Sequence, residues 1–213
     1  MKIEYRTVGP FQENTYLVID EVARRSILID PGDEPSVLID LVEKSGTTLD
    51  AIWLTHAHID HIGGIHGMRR RWPVPVSMHP LDRSLFERAS DVATMYGLPF
   101  DRPEYPEHEF ADAQQVNVGS LRFEVIHTPG HAPGHVVFVG EGIMLGGDLL
   151  FAGSIGRTDL PYCDPAAMEG SLERIAALDP DIIVYPGHGP TTTIGRELET
   201  NPFLSGAARP IKR

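Results

Sequence analysis

Within one short stretch, Thr55-His56-Ala57-His58-Ile59-Asp60-His61-Ile62-Gly63-Gly64, the chain packs three imidazoles and a carboxylate into six positions. A random ordering of the same residues would contain H-x-H-x-D-H roughly once in a thousand, so the run stands as a motif by itself. Burying donors of this kind without a cation would leave costly unsatisfied polar groups, which makes a metal site the natural reading. The spacing adds to this. In an extended segment His56 and His58 project to one side and can grip one ion, while Asp60 and His61, after a turn, point at a neighbour about 3.5–4 Å away, the usual two-metal separation. Gly63 and Gly64 let the backbone bend close by.

Two ions need more than four ligands, and three further candidates stand at strand ends flanked by glycine: His131 in Thr128-Pro129-Gly130-His131, Asp148 after Gly146-Gly147, and His188 in Pro186-Gly187-His188-Gly189. Functional loops gather at such termini. The remaining histidines, His66, His79, His108, His127 and His135, are read as surface or hydrogen-bonded side chains. His135 follows His131 by four residues but opens a strand, so it stays outside the ligand set. Cys163 is read as inert.

Positioning these groups falls to short β-branched runs that read as strands: Tyr16-Leu17-Val18-Ile19, Ile27-Leu28-Ile29, Ala51-Ile52-Trp53-Leu54 and residues 74–78 in the first half, then 122–126, 136–139, 143–145 and 182–185. Helical spacing covers residues 35–45, 62–71 and 81–96, and a further helix is expected behind Asp164 as N-cap with Pro165 in the first turn. Residues 99–109, with three prolines, break regular structure as a surface loop or a seam between halves. Two similar sheet-forming halves with helices outside suggest a four-layer αββα sandwich, the whole of 1–213 forming one domain.

Composition bounds the partners. The chain of 213 residues is 41% hydrophobic and 23% charged, near globular averages. Eighteen Lys plus Arg against 30 Asp plus Glu give a net charge of −12, which repels a phosphate backbone. Arg69-Arg70-Arg71 reads as a solvated helix end favoured by the dipole, so no nucleic-acid partner is expected. No run is apolar for the ~18 residues a membrane span needs, and the first residues lack a leader's apolar stretch. A single cysteine excludes an intrachain disulfide and suits the cytoplasm. The oligomeric state is left open.

In order and spacing, Asp30 in Leu28-Ile29-Asp30-Pro31-Gly32, the Thr55 to His61 run, His131, Asp148 and His188 resemble the successive motifs of the metallo-β-lactamase superfamily across most of the chain. That resemblance implies a first ion on His56, His58 and His131, a second on Asp60, His61 and His188, Asp148 bridging both, and Asp30 orienting the ligand loops. Asp148 to Pro161, with Ile155-Gly156-Arg157-Thr158-Asp159, and Gly187-His188-Gly189-Pro190 followed by Thr200-Asn201-Pro202-Phe203, look like the small glyoxalase II-like hydrolases. Such proteins cleave S-acylglutathione thioesters, lactoylglutathione being the usual one. Two departures bear on substrate: the chain ends soon after His188, where full-length glyoxalase II continues into a helical region that helps hold glutathione, and Tyr162-Cys163 stands where glycine is more familiar.

The expected chemistry is hydrolysis by hydroxide on a metal, since an ion brings the pKa of bound water from 15.7 to about 7. Asp60 is placed to orient that nucleophile, and a thiolate whose parent thiol has a pKa of about 8.5 leaves without a general acid. Arg157 could meet a substrate carboxylate or pair with Asp159. His and carboxylate donors suit two divalent ions, zinc foremost, with iron and manganese compatible. The rival readings are a mononuclear iron persulfide dioxygenase of the same fold, then a phosphodiesterase or nuclease, then a non-catalytic binding protein.

Overall fold

The structure is a computed structural model, which describes residues 1–211. A first sheet takes strands β1 (Lys2–Val8), β2 (Glu13–Asp20), β3 (Arg25–Ile29), β4 (Thr48–Trp53), β5 (Val76–Met78) and β6 (His108–Glu109), hydrogen-bonded in that order. β1 to β3 form an antiparallel meander; β3 to β6 run parallel. The second sheet holds β7 (Gln115–Val118), β8 (Leu121–His127), β9 (Val136–Gly140), β10 (Ile143–Gly147), β13 (Ile183–Pro186) and β14 (Thr192–Thr193), with a small hairpin of β11 (Leu150–Phe151) and β12 (Ser154–Ile155) beside it. Here too an antiparallel meander, β7 to β10, leads through a helical crossover to a parallel neighbour, β10 to β13.

Period-two alternation sorts the side chains. Tyr16, Val18, Ile27, Ile29 and Trp53 from the first sheet meet Phe123, Val125, Val136, Phe138, Ile143 and Leu145 from the second in a core between the sheets. The intervening residues Leu17, Ile19, Leu28 and Ile52 face outward onto α1 (Pro35–Ser45), α2 (Ile59–Ile62), α3 (Ile65–Arg71) and α4 (Arg83–Tyr96). On the far side Val137, Met144 and Val184 pack under α5 (Pro165–Ala176) and α6 (Ile194–Thr200). Three apolar layers therefore separate four structural ones, and the αββα sandwich is the observed architecture. Among the described residues no helix is long and apolar enough to cross a membrane.

The helix bounds at Pro35–Ser45 agree with the sequence pattern, and Asp164 caps α5 by accepting from the Ala166 and Ala167 N–H groups at 2.9 and 3.2 Å. The helix expected over 62–71 is instead two short ones interrupted at Gly63-Gly64. There the Gly64 N–H bonds the Pro31 carbonyl at 2.8 Å, an approach a β-carbon would obstruct. This break lets α2 start at Ile59, so Asp60 and His61 fall in its first turn. The arginines close α3, where Arg69 pairs with Glu107 and Arg71 with Glu43. Residues 99–107 carry no regular structure.

Candidate metal centre

Each candidate ligand leaves the C-terminal end of a strand. Beyond β4 the chain passes Leu54 and Thr55 to His58, which sits extended (φ −70°, ψ 153°) before α2. His131 lies between β8 and β9, Asp148 follows β10, and His188 follows β13. The last loop is moored to the first sheet: the Asn14 amide donates to the carbonyls of Pro186 and Gly189 at 3.2 and 2.9 Å, and the Tyr16 hydroxyl donates to Pro186 at 2.7 Å.

The loops bring all seven side chains together. His56, His58 and His131 form one group, and Asp60, His61 and His188 a second, each with donor atoms within 4.8 Å of one another. Asp148 touches both: Oδ2 lies 3.4 Å from His131 Nε2 and 3.5 Å from His188 Nε2, while Oδ1 lies 3.5 Å from His61 Nε2. His58 presents Nδ1, 2.8 Å from His131 Nε2. A third combination, Asp30 with His56 and His61, is as compact. However, Asp30 Oδ1 already accepts the Thr55 N–H at 2.7 Å, and Oδ2 accepts the Thr55 hydroxyl at 2.6 Å and His61 Nδ1–H at 3.0 Å. Asp30 therefore acts on the imidazoles.

Tautomers follow from these partners. The Thr55 hydroxyl gives its proton to Asp30, so it accepts from His56 Nδ1–H at 3.0 Å; His131 Nδ1–H donates to the Arg157 carbonyl at 2.8 Å, and His188 Nδ1–H to the Gln12 carbonyl at 3.3 Å. Each ring thereby turns a bare Nε2 toward the centre, the arrangement that metal-ligating histidines require. His56 Nε2, His61 Nε2 and Asp148 Oδ1 are buried without a hydrogen-bond partner. Orphaned atoms converging at these distances fit divalent ions, and the donor chemistry fits them as well.

Electrostatics divide the two groups. Burial pushes His56 and His131 below the ordinary imidazole value, and burial with the neighbouring His131 brings His58 down to about 3. His61 and His188 are raised despite their burial, His61 by the Asp148 and Asp30 carboxylates and His188 by Asp60 and Asp148. Burial would lift Asp148, but His61, His131 and His188 outweigh it and hold the carboxylate well below its usual range.

Asp82 left no legible mark in the sequence, and His135, Cys163 and Arg157 brace the centre by contacts that only the fold shows. His135 is fully buried: Nδ1–H donates to the Thr128 hydroxyl at 2.9 Å, and Nε2 accepts the Asp148 N–H at 3.0 Å. It is hydrogen-bonded, as expected, and what it holds is the backbone of Asp148. Asp82, next to α4, looks like an N-cap but makes no capping bond. Its side chain turns inward, Oδ2 accepting the Ala57 N–H at 2.9 Å and Oδ1 the Gly134 N–H at 2.5 Å. It thus clamps the His56/His58 turn to the His131 loop. Cys163 is buried, its thiol donating to the His131 carbonyl at 3.0 Å, and burial raises its pKa. Arg157 contributes its carbonyl to His131, whereas its guanidinium pairs with Asp159 through Nε and Nη2 at 2.8 and 3.1 Å.

Comparison with known proteins follows the same lines. Residues 8–188 match the family model of the metallo-beta-lactamase superfamily. The hydroxyacylglutathione hydrolase GloC of Haemophilus influenzae is 36% identical over 210 residues, covering 96% of this chain and 99% of that protein. Among solved structures, TTHA1623 in a di-iron-bound form is 44% identical with a TM-score of 0.87, covering 94% of this chain and all of that one. The BLEG-1 B3 metallo-beta-lactamase is 35% identical with a TM-score of 0.90, covering 96% of this chain and 100% of that one.

Proposed function

The chain belongs to the metallo-β-lactamase superfamily, and from that premise we propose that it hydrolyses small-molecule thioesters, S-acylglutathiones of the lactoylglutathione kind. The Haemophilus influenzae relative, similar over almost its full length, supports the substrate class. The observation that carries the proposal is the set of buried, partnerless atoms His56 Nε2, His61 Nε2 and Asp148 Oδ1, with His56 and His61 tied down on the opposite side of each ring. On this reading His56, His58 and His131 hold one ion, Asp60, His61 and His188 the other, and Asp148 stands between them. The second group has its own orphan, His61 Nε2, which favours two ions over one. Zinc is the ion we assign; iron and manganese suit the same donors, and a di-iron form is known for the TTHA1623 structure.

When bound, such ions acidify water to near-neutral pKa and draw charge from a carbonyl oxygen. The chain's own residues supply the rest. Asp60, whose Oδ2 lies 3.3 Å from His188 Nε2 and which is partly open to solvent, has a second oxygen with which to orient the attacking water. Asp30 and Thr55 fix the rings of His61 and His56, and His135 fixes the Asp148 backbone. The thiolate leaves unaided because its parent thiol is acidic, about 8.5. Arg157 is assigned to a substrate carboxylate, which would meet the guanidinium face that Asp159 leaves open. We also place the protein in the cytoplasm with no nucleic-acid or membrane partner, in keeping with its net charge of −12.

Asp60→Ala and His58→Ala are each expected to lower S-lactoylglutathione turnover by about a thousandfold or more, with the far-ultraviolet circular dichroism of the wild type. Near-normal turnover in either variant contradicts these roles. Oxygen uptake on glutathione persulfide by protein carrying one iron per chain would replace hydrolysis with the oxidative reading.

A further inference from the structure

Beside the second ligand group lies a cleft open to solvent, whose lining includes Asp60. Its accessible volume of about 50 Å³ holds a few waters or a short acyl chain. Val8 at the end of β1, Phe11 from the β1–β2 connection, Ile59 of α2, and Leu98 and Phe100 just past α4 line it. Phe11 is braced edge-on by Tyr96, ring centroids 5.5 Å apart. The charged residues lining the cleft are Asp33 and Asp60, both acidic, and no lysine or arginine lines it.

A thioester carbonyl placed at the ligand cluster sends its acyl group one way and its thiol portion the other. A glutathione portion carries two carboxylates, which Asp33 would repel and the apolar walls would desolvate without compensation. Cations belong instead to the segments beside His131: Arg157, whose carbonyl binds that ring and whose guanidinium pairs with Asp159, and Arg88, which donates to the hydroxyl of Tyr162, the neighbour of the Cys163 that bonds the His131 carbonyl. We propose that the apolar cleft beside Asp60 receives the acyl group, and that the enzyme therefore prefers unsubstituted aliphatic acyl chains to hydroxylated ones. A hydroxyl set against Phe11 and Leu98 gives up water and meets no partner, whereas each methylene there leaves water at a gain. The inference rests on the thioester reading above and narrows it.

The test is kcat/KM of the metal-loaded full chain on S-acetyl-, S-butanoyl-, S-hexanoyl- and S-lactoylglutathione. The expected result is a rise of about two- to fourfold per methylene, with lactoyl below butanoyl. Phe11→Ser and Leu98→Asn should each flatten the hexanoyl-to-acetyl ratio about fivefold or more; the ratio does not depend on how much of a variant folds. A wild-type profile that is flat or falls with chain length, lactoyl above butanoyl, or a gradient unchanged in both variants overturns the acyl assignment while leaving thioester hydrolysis standing. If the wild type cleaves none of the four, the functional reading itself fails and takes this inference with it.

Discussion

At the scale of single residues, the direction of a ring is set by what lies behind it. His56 leans on Thr55, His61 on Asp30, and Thr55 on Asp30 in turn, so one buried carboxylate orients an imidazole of each group. Asp30→Asn would lose one acceptor oxygen and is expected to weaken metal affinity about 10- to 100-fold, measurable by competition with a chromophoric chelator; unchanged affinity would show the carboxylate to be dispensable. In the metal-free protein the imidazoles should titrate apart: burial and neighbouring imidazoles hold His56, His58, His131 and His135 below the usual range, while carboxylates hold His61 and His188 above it. His58, brought down to about 3, should stay neutral between pH 7.5 and 5.5. Imidazole NMR signals of chelated protein check this, and uptake of a proton by His58 near 6.5 contradicts it. The Thr55 to His61 cluster was legible because its density has no bland explanation; Asp82 and His135 were not, because an aspartate before a helix and a histidine opening a strand each have an ordinary local role, and only the folded chain shows which backbone N–H each one meets.

At the scale of elements, function depends on where strands stop. Gly147 ends β10 in a left-handed conformation (φ 46°), and a β-carbon there would overlap the Thr55 hydroxyl and lie 2.8 Å from His135 Nε2. Gly147→Ala should therefore displace Asp148 and lower turnover by about 100-fold, whereas Gly142→Ala, in an open turn, should not; equal effects on kcat/KM would show the site to be insensitive to this strand end. The strands that cross the middle of the sandwich were readable from their β-branched runs. β1 was missed, since Lys2, Glu4 and Arg6 alternate with Ile3, Tyr5 and Thr7 on an edge strand that buries little. Two-residue strands such as β6, β11, β12 and β14 are too short for any periodicity to register. The break at Gly63-Gly64 was hidden because its cause, the Pro31 carbonyl, comes from another part of the chain.

At the scale of the molecule, the proposed ligands come from both sheets: His56 to His61 follow β4 in the first, and His131, Asp148 and His188 follow strands of the second. Because the two sheets also share their central core, we propose that they form one cooperative domain. Bound metal should tie them further, and its removal is expected to lower Tm by about 10 °C or more, restored on re-addition. A scan with two separated transitions would show that the halves fold independently. The central claim is that two ions gathered by these seven side chains perform the hydrolysis. Its most direct test is titration of chelated protein with zinc while S-lactoylglutathione turnover and bound metal are followed together. The expected result is activity from a negligible baseline that is complete at two equivalents per chain, with Asp60→Ala silent throughout; full turnover by protein free of metal would contradict it.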